Sequence, residues 1–185
     1  MRVITGFAKG MKLAALEGED TRPTSDRVKE GMFSAIQFDV HDKSILDLFG
    51  GSGQLSIEAL SRGAEKAVIV DISRTATEVI KQNAVKTRLM DKCRIITADW
   101  KEYLKGARGK EEFGLVFLDP PYKKGFIDEI LKRLYASDVL AKEALIICES
   151  DKDGIPEPSD GNEQKLYRYG RTYVSVIKAI KKQQN

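Results

Sequence analysis

Two cysteines, one histidine and one tryptophan in 185 residues leave little material for metal or disulfide chemistry. Cys93 and Cys148 sit in separate apolar runs without short ligand spacing, and His41 is the single imidazole that could join either. No metal site and no disulfide is therefore expected, and both thiols should be buried and free. Charge of one sign is also lacking: the formal net charge is +3 and the pI near 8.7, too mild for the whole-molecule field to select a nucleic-acid partner. No apolar run approaches the roughly 20 residues that a membrane helix needs. The opening Met1-Arg2-Val3-Ile4-Thr5 carries no signal pattern, so a cytoplasmic location is expected. Internal repeats and low-complexity tracts are missing too. Proline is scarce, with five residues, which makes the adjacency of two of them informative.

Those two stand in Asp119-Pro120-Pro121-Tyr122, directly after the apolar run Phe113 to Leu118. Consecutive prolines fix two φ angles and push their predecessors out of the α region, so the chain leaving this strand becomes a stiff, extended loop. Such a loop can aim the Asp119 carboxylate and the Pro120 carbonyl at the two N–H bonds of an exocyclic amine, while the Tyr122 ring offers a face for the base. An amine held by two acceptors loses conjugation with its ring and gains nucleophilicity. The four residues Asp119, Pro120, Pro121 and Tyr122 are thus the candidate catalytic loop. Asp and Pro are also ordinary turn residues, and a plain turn is the lesser alternative for the four in isolation.

A second motif lies upstream. Ser44-Ile-Leu-Asp-Leu-Phe49 reads as a buried strand, followed by a glycine turn at Gly50, Gly51 and Gly53 and then a helix. Glycine lets the backbone approach a ligand closely. The pattern nearly fits a dinucleotide fingerprint, but Ser56 occupies the third glycine position and Asp47 sits inside the strand end. Some twenty residues on, the strand Ala67 to Val70 ends in Asp71, placed to accept from a ribose diol and followed by Ile72. Another, from Cys93, ends in Asp99-Trp100, an acid and an aromatic suited to adenine. Each acid alone reads as a helix cap or solvated turn. In this order, at successive strand ends, they read as an S-adenosylmethionine site.

Strands near 44–49, 67–71, 93–98, 113–118 and 144–149 alternate with helices near 54–62, 74–88, 100–106 and 125–136. That alternation implies an α/β fold of right-handed parallel units with a ligand at the carboxyl edge. Before them, Arg2-Val-Ile-Thr-Gly and Lys12-Leu-Ala-Ala-Leu flank a turn and predict an amino-terminal hairpin. Val28, Met32 and Ile36 predict a helix from about Thr24, with Thr24, Ser25 or Asp26 as its cap. At the other end, Gly170-Arg171 between Lys165–Tyr169 and Thr172–Ile180 predicts a closing antiparallel pair. From Gln164 onward there are six basic residues and no acid, after five acids and one lysine between Asp151 and Glu163. Lys123 and Lys124 follow the tyrosine where cations could meet phosphate, although a solvated surface accounts for any one lysine.

The run Thr21-Arg-Pro-Thr-Ser-Asp-Arg-Val-Lys-Glu30 with Met32-Phe33, together with Leu46–Gly53, Glu58–Ala64, Leu118–Tyr122 and Glu149-Ser150, resembles the bacterial 16S ribosomal RNA guanine-N2 methyltransferases of the RsmD family over nearly the whole length. The Arg-Pro-Thr-x-Asp-Arg element is its specific part. The Asp-Pro-Pro-Tyr loop is shared with adenine-N6 and other amino methyltransferases. The resemblance implies a Rossmann-like class I S-adenosylmethionine-dependent methyltransferase fold, with a mostly parallel seven-stranded sheet, a C-terminal antiparallel hairpin and an N-terminal β-hairpin extension. It implies one domain over 1–185, made of the hairpin extension (1–20), a helix element (21–40) and the catalytic core (41–185).

It also implies S-adenosyl-L-methionine as cofactor, held by Asp47, Phe49, Gly50, Gly51, Gly53, Asp71, Ile72, Asp99 and Trp100, with Thr24 and Arg27 closing over it. The implied partner is 16S RNA within a partly or fully assembled small subunit, met by a monomer. Arg22, Lys123, Lys124, Arg2, Lys9 and Lys12 would grip that RNA; for Arg22 and Arg27 a helix-start ion pair is an equal alternative. Two departures are visible: Gly51 stands where the family has alanine, and Asp71 where it more often has glutamate. An adenine-N6 DNA or RNA methyltransferase and a ribosome-assembly RNA-binding factor with incidental methylation are the alternatives beside this reading.

Overall fold

The computed structural model describes residues 1–16, 24–121, 125–156 and 162–179. Ser25, in extended conformation, accepts from Val28 N at 3.3 Å and so starts α1 (Asp26–Ala35), which buries Val28, Lys29, Met32 and Phe33. The alternation then runs β1 (Ser44–Asp47), α2 (Gln54–Ser61), β2 (Lys66–Asp71), α3 (Arg74–Lys86), a 3₁₀ turn (Met90–Lys92) and β3 (Cys93–Thr97). It continues with α4 (Trp100–Ala107), β4 (Phe113–Leu118), α5 (Phe126–Ala136), β5 (Leu140–Ser150), β6 (Glu163–Tyr169) and β7 (Thr172–Lys178). One seven-stranded sheet results, in the order β3-β2-β1-β4-β5-β7-β6. β7 alone runs against both its neighbours, as the hairpin signal at Gly170 predicts.

Side chains on the central strands alternate between two cores. Ile45, Ile69, Leu115 and Phe117 pack with Met32, Phe33, Ile57 and Ile80 beneath α1, α2 and α3. Leu46, Val68, Val116 and Leu118 pack with Leu104, Ile130 and Leu134 beneath α4 and α5. Strand order reverses between β1 and β4, which opens a crevice at their carboxyl ends.

Three local features differ from the sequence reading. β5 starts at Leu140, four residues before 144, because a register shift opposite Phe113 and Leu115 absorbs the polar Lys142-Glu143, with Glu143 at φ +57°. Cys93 is only half-buried, since β3 is an edge strand, whereas Cys148 on β5 is fully enclosed; both are free thiols. The amino-terminal hairpin is a strap and adds no strand to the sheet. One antiparallel bridge joins Arg2 to Lys12, and the strap lies along α2.

That strap is held by side chains buried beneath it. Glu58 on α2 accepts from Ile4 N (2.7 Å), Thr5 N (3.0 Å) and Arg62 Nε (2.7 Å), and lies 3.9 Å from the enclosed Lys29 ammonium. Lys29 Nζ in turn donates to the Arg2 carbonyl at 2.5 Å. Burial pushes the Lys29 ammonium down in pKa, and Glu58 offsets part of that. Further along, Phe7 N and Ala8 N donate to Ser61, and Asn83 on α3 pairs with both backbone groups of Ala14.

Candidate functional site at the carboxyl edge

The strand ends shape a cavity of about 730 Å³ at the crevice. Asp47 closes β1 and the turn Phe49–Gly53 leads into α2, with Gly50 N donating to Val70 O at 2.9 Å. A Cβ at Gly50 would meet Ile69 Cγ2 at 2.5 Å, so only glycine lets the turn lie so close to β2. Asp71, at the end of β2, accepts from Gly51 N and Ser73 N, both at 2.8 Å, and so ties the glycine turn to the start of α3. Asp99 caps α4 through Lys101 N at 2.8 Å. The helix-cap reading holds for Asp99, whereas α3 is capped by Ser73 and Asp71 serves as a turn anchor; both carboxylates line the cavity.

Asp47 is enclosed. Ser56 Oγ donates to it at 2.9 Å, which gives the residue at the third glycine position a purpose of its own. Burial nonetheless pushes the Asp47 carboxyl up to about 7, with the charge of Asp71 acting the same way. Asp119, at the end of β4, is also raised well above the ordinary carboxylate range, by burial first and by Glu149 on β5 second. Thr24 Oγ1 lies between those two carboxylates, 3.1 Å from Asp119 Oδ2 and 2.8 Å from Glu149 Oε2.

Of the expected site residues, Thr24, Asp47, Phe49, Gly50, Gly51, Asp71, Ile72, Asp99, Trp100, Asp119, Pro120 and Pro121 meet around this cavity. Gly53 does not line it; at φ +78° it caps α2 from behind, against Ile80. Arg27 does not line it either, because it sits on the exposed face of α1, opposite the turn positions that carry Val28, Lys29 and Met32 inward. Arg2 and Lys12 are exposed at the base of the strap, and Arg2 Nε lies 3.4 Å from Asp26 Oδ2. Lys9 is in the strap's turn beside Ser61, where α2 ends, about 12 Å of helix away from the glycine turn. Tyr122, Lys123, Lys124 and Arg22 lie outside the described residues.

Other residues of the site escaped the sequence reading. Phe126, at the start of α5, forms a ring cluster with Phe49 and Trp100, with centroids 6.0, 6.1 and 6.3 Å apart. Gln54 lines the cavity at the start of α2, and its buried Oε1 has no hydrogen-bond partner among the described residues. Glu149 was visible as Glu149-Ser150 without a role. Four carboxylates line the cavity and no lysine or arginine does so among the described residues. A cation with an aromatic or ribose-bearing body fits these donors and acceptors, and the orphaned Gln54 oxygen can take an ammonium N–H. A dinucleotide pyrophosphate would meet like charge.

Sheet order, glycine turn and acidic carboxyl edge together define the Rossmann-like fold of class I S-adenosylmethionine-dependent methyltransferases. The chain belongs to the family described as Conserved hypothetical protein 95, whose profile matches residues 1–178, and with it to the family of ribosomal RNA small subunit methyltransferase D. The Escherichia coli (strain K12) protein of that name is 34% identical over 157 residues, covering 84% of this chain and 78% of its own. YlbH of Bacillus subtilis (strain 168) is 37% identical over 181 residues, covering 96% and 98%. The solved structure of yhhF from Escherichia coli has a TM-score of 0.85 at 28% identity, over 98% of this chain and 99% of that one.

Proposed function

We propose that this protein is an S-adenosylmethionine-dependent methyltransferase that modifies the N2 amine of a guanine in 16S ribosomal RNA, acting in the cytoplasm as a single catalytic domain on a small subunit that already carries ribosomal proteins. The observation that carries the reading is one cavity holding both an acid-rich, cation-accepting half and the Asp119-Pro120-Pro121 strand end. Asp47, Asp71, Asp99 and the Gln54 oxygen would hold the cofactor, and Phe49, Trp100 and Phe126 would form its apolar wall. When bound, the cofactor supplies an electrophilic methyl group on a sulfonium. Asp119 and the Pro120 carbonyl would accept hydrogen bonds from the two amine N–H groups and turn the nitrogen lone pair toward that methyl, so the protein contributes position and electrostatics without a covalent step. Tyr122 would stack on the base. Guanine N2 faces the minor groove of a duplex, so the target must be unpaired or turned out into the cavity.

Methyl mapping on ribosomal RNA from cells with and without the protein tests the substrate. Loss of one N2-methylguanine from 16S RNA is expected; loss of an N6-methyladenine, or of no methyl group at all, would refute it. Single-turnover transfer to partly assembled small subunits tests the loop. Asp119→Ala should slow transfer at least about 100-fold while S-adenosylhomocysteine binds within a few-fold of wild type, since the contact matters most in the transition state.

A further inference from the structure

Glu149 is nearly fully buried and not among the residues that line the cavity, yet it touches the catalytic strand end through a single hydroxyl. Thr24 Oγ1 has one hydrogen and two carboxylate neighbours, Glu149 Oε2 at 2.8 Å and Asp119 Oδ2 at 3.1 Å. That hydrogen can be given to one of them only. The other contact is favourable when the second carboxyl carries a proton and donates it to the Thr24 oxygen. The shorter contact assigns the Thr24 hydrogen to Glu149, and the shared proton to Asp119. Like charge points the same way: Asp119 faces Glu149 from β5 and Asp47 from β1, and no described lysine or arginine lines the cavity beside Asp119 and Asp47. Burial and Glu149 both raise Asp119, as a carboxyl pair holding one proton requires.

We propose that Asp119 and Glu149 act as one carboxyl pair joined through Thr24, Glu149 positioning Asp119 and the pair taking up the proton that the amine must lose on methylation. This rests on the methyl-transfer reading above. The nitrogen lone pair forms the bond to the methyl carbon as the carbon–sulfur bond gives its electrons to sulfur, which leaves a positive nitrogen with one hydrogen too many. That N–H bond returns its electrons to nitrogen as the proton passes to the pair. Asp119 can accept it because its own proton moves through the Thr24 hydroxyl to Glu149. The pair goes from one proton to two and later releases one to water. Glu149 is thus a positioning residue, acting through Thr24.

Carbon-13 NMR of the carboxyl carbons, assigned with Asp119→Asn and read on ligand-free protein, tests the pair without any substrate. Wild type should titrate in two coupled steps involving both residues. In Glu149→Gln, Asp119 should titrate once, at lower pH. An Asp119 titration identical in both proteins would overturn the proposal. Single-turnover transfer to partly assembled small subunits then reads the chemistry. Glu149→Gln should slow transfer about tenfold or more and move the acid limb of the pH profile to higher pH, since wild type needs only one proton off the pair whereas the variant needs it off Asp119 itself, and Thr24→Val should slow it comparably. The double variant should be no slower than the slower single one. Thr24→Ser, which keeps the hydroxyl, should retain the wild-type profile. Additive losses with an unmoved acid limb would overturn the proposal. A wild type with a coupled titration and no transfer to any small subunit would instead refute the methyl-transfer reading on which it rests.

Discussion

Replacing Asp47 by asparagine should stabilise the ligand-free protein, and by an amount that depends on pH. Asp47 is 2% exposed, with Ser56 Oγ at 2.9 Å as its one short donor and Phe49 N at 3.4 Å as a weak second. Its carboxyl is pushed from the ordinary 3.8 to about 7, so between those values the folded state holds a proton that the unfolded chain has lost. A carboxyl raised on folding favours the folded state fully below about pH 4, and that advantage is lost as pH rises to about 7. At about 1.36 kcal/mol per pH unit, the interval gives a ceiling of about 4 kcal/mol. Asparagine has the shape of the protonated acid, can still accept from Ser56, and does not titrate. Urea unfolding of wild type and Asp47→Asn at pH 4, 5, 6, 7 and 8 should therefore give a stability difference near zero at the acid end that grows in favour of the variant and levels off above about pH 7. Taking the difference cancels the part of the Asp119 contribution that does not depend on Asp47; the loss of the Asp47 charge beside Asp119 favours the variant in the same direction. A difference that stays constant across the range would refute the reasoning, because it would mean that Asp47 ionises in the folded protein as it does in the unfolded chain.

Two further outcomes follow from the same geometry. Asp71→Ala removes the acceptor for Gly51 N and Ser73 N and one wall of the cavity, so calorimetry with S-adenosylhomocysteine should show binding weakened by about 1.5–3 kcal/mol, and unchanged affinity would remove Asp71 from the site. Glu58→Ala leaves the buried Lys29 ammonium and the Ile4 and Thr5 amides without their carboxylate, which should cost about 3–5 kcal/mol in urea unfolding; a loss under about 1 kcal/mol would show that the strap is held by other contacts.

The sheet was legible because each central strand is a short apolar run closed by a turn signal, and the cavity was legible because four of those runs end in acids. The gaps have physical causes. Lys142-Glu143 interrupts the apolar pattern of β5, so its first turn of chain reads as a loop while the bulge keeps it paired. Lys29 and Glu58 look like solvent-facing charges, and nothing local says that a strap more than fifty residues away from Glu58 will cover them. Phe126 reaches the cavity through the placement of α5, and Glu149 reaches Asp119 through Thr24 across three elements. Such contacts exist only in the assembled fold. Arg27 shows the converse error: Thr24, three residues before it in the motif, lines the cavity, but helix periodicity turns Arg27 outward.

The strap also couples the cavity to amides far from it. Met1 and Leu16 line the cavity, Ser52 Oγ donates to Met1 Sδ at 3.3 Å, and the segment between is anchored through Glu58, Ser61 and Asn83. If the strap lifts as one unit, it takes part of the ligand's enclosure with it, so ligand and strap closure are thermodynamically linked. A ligand at 100 times its Kd that binds only the closed form would then reduce the open population about 100-fold. Hydrogen exchange at Ile4, Thr5 and Ala8 would slow by that factor, although none of these residues lines the cavity.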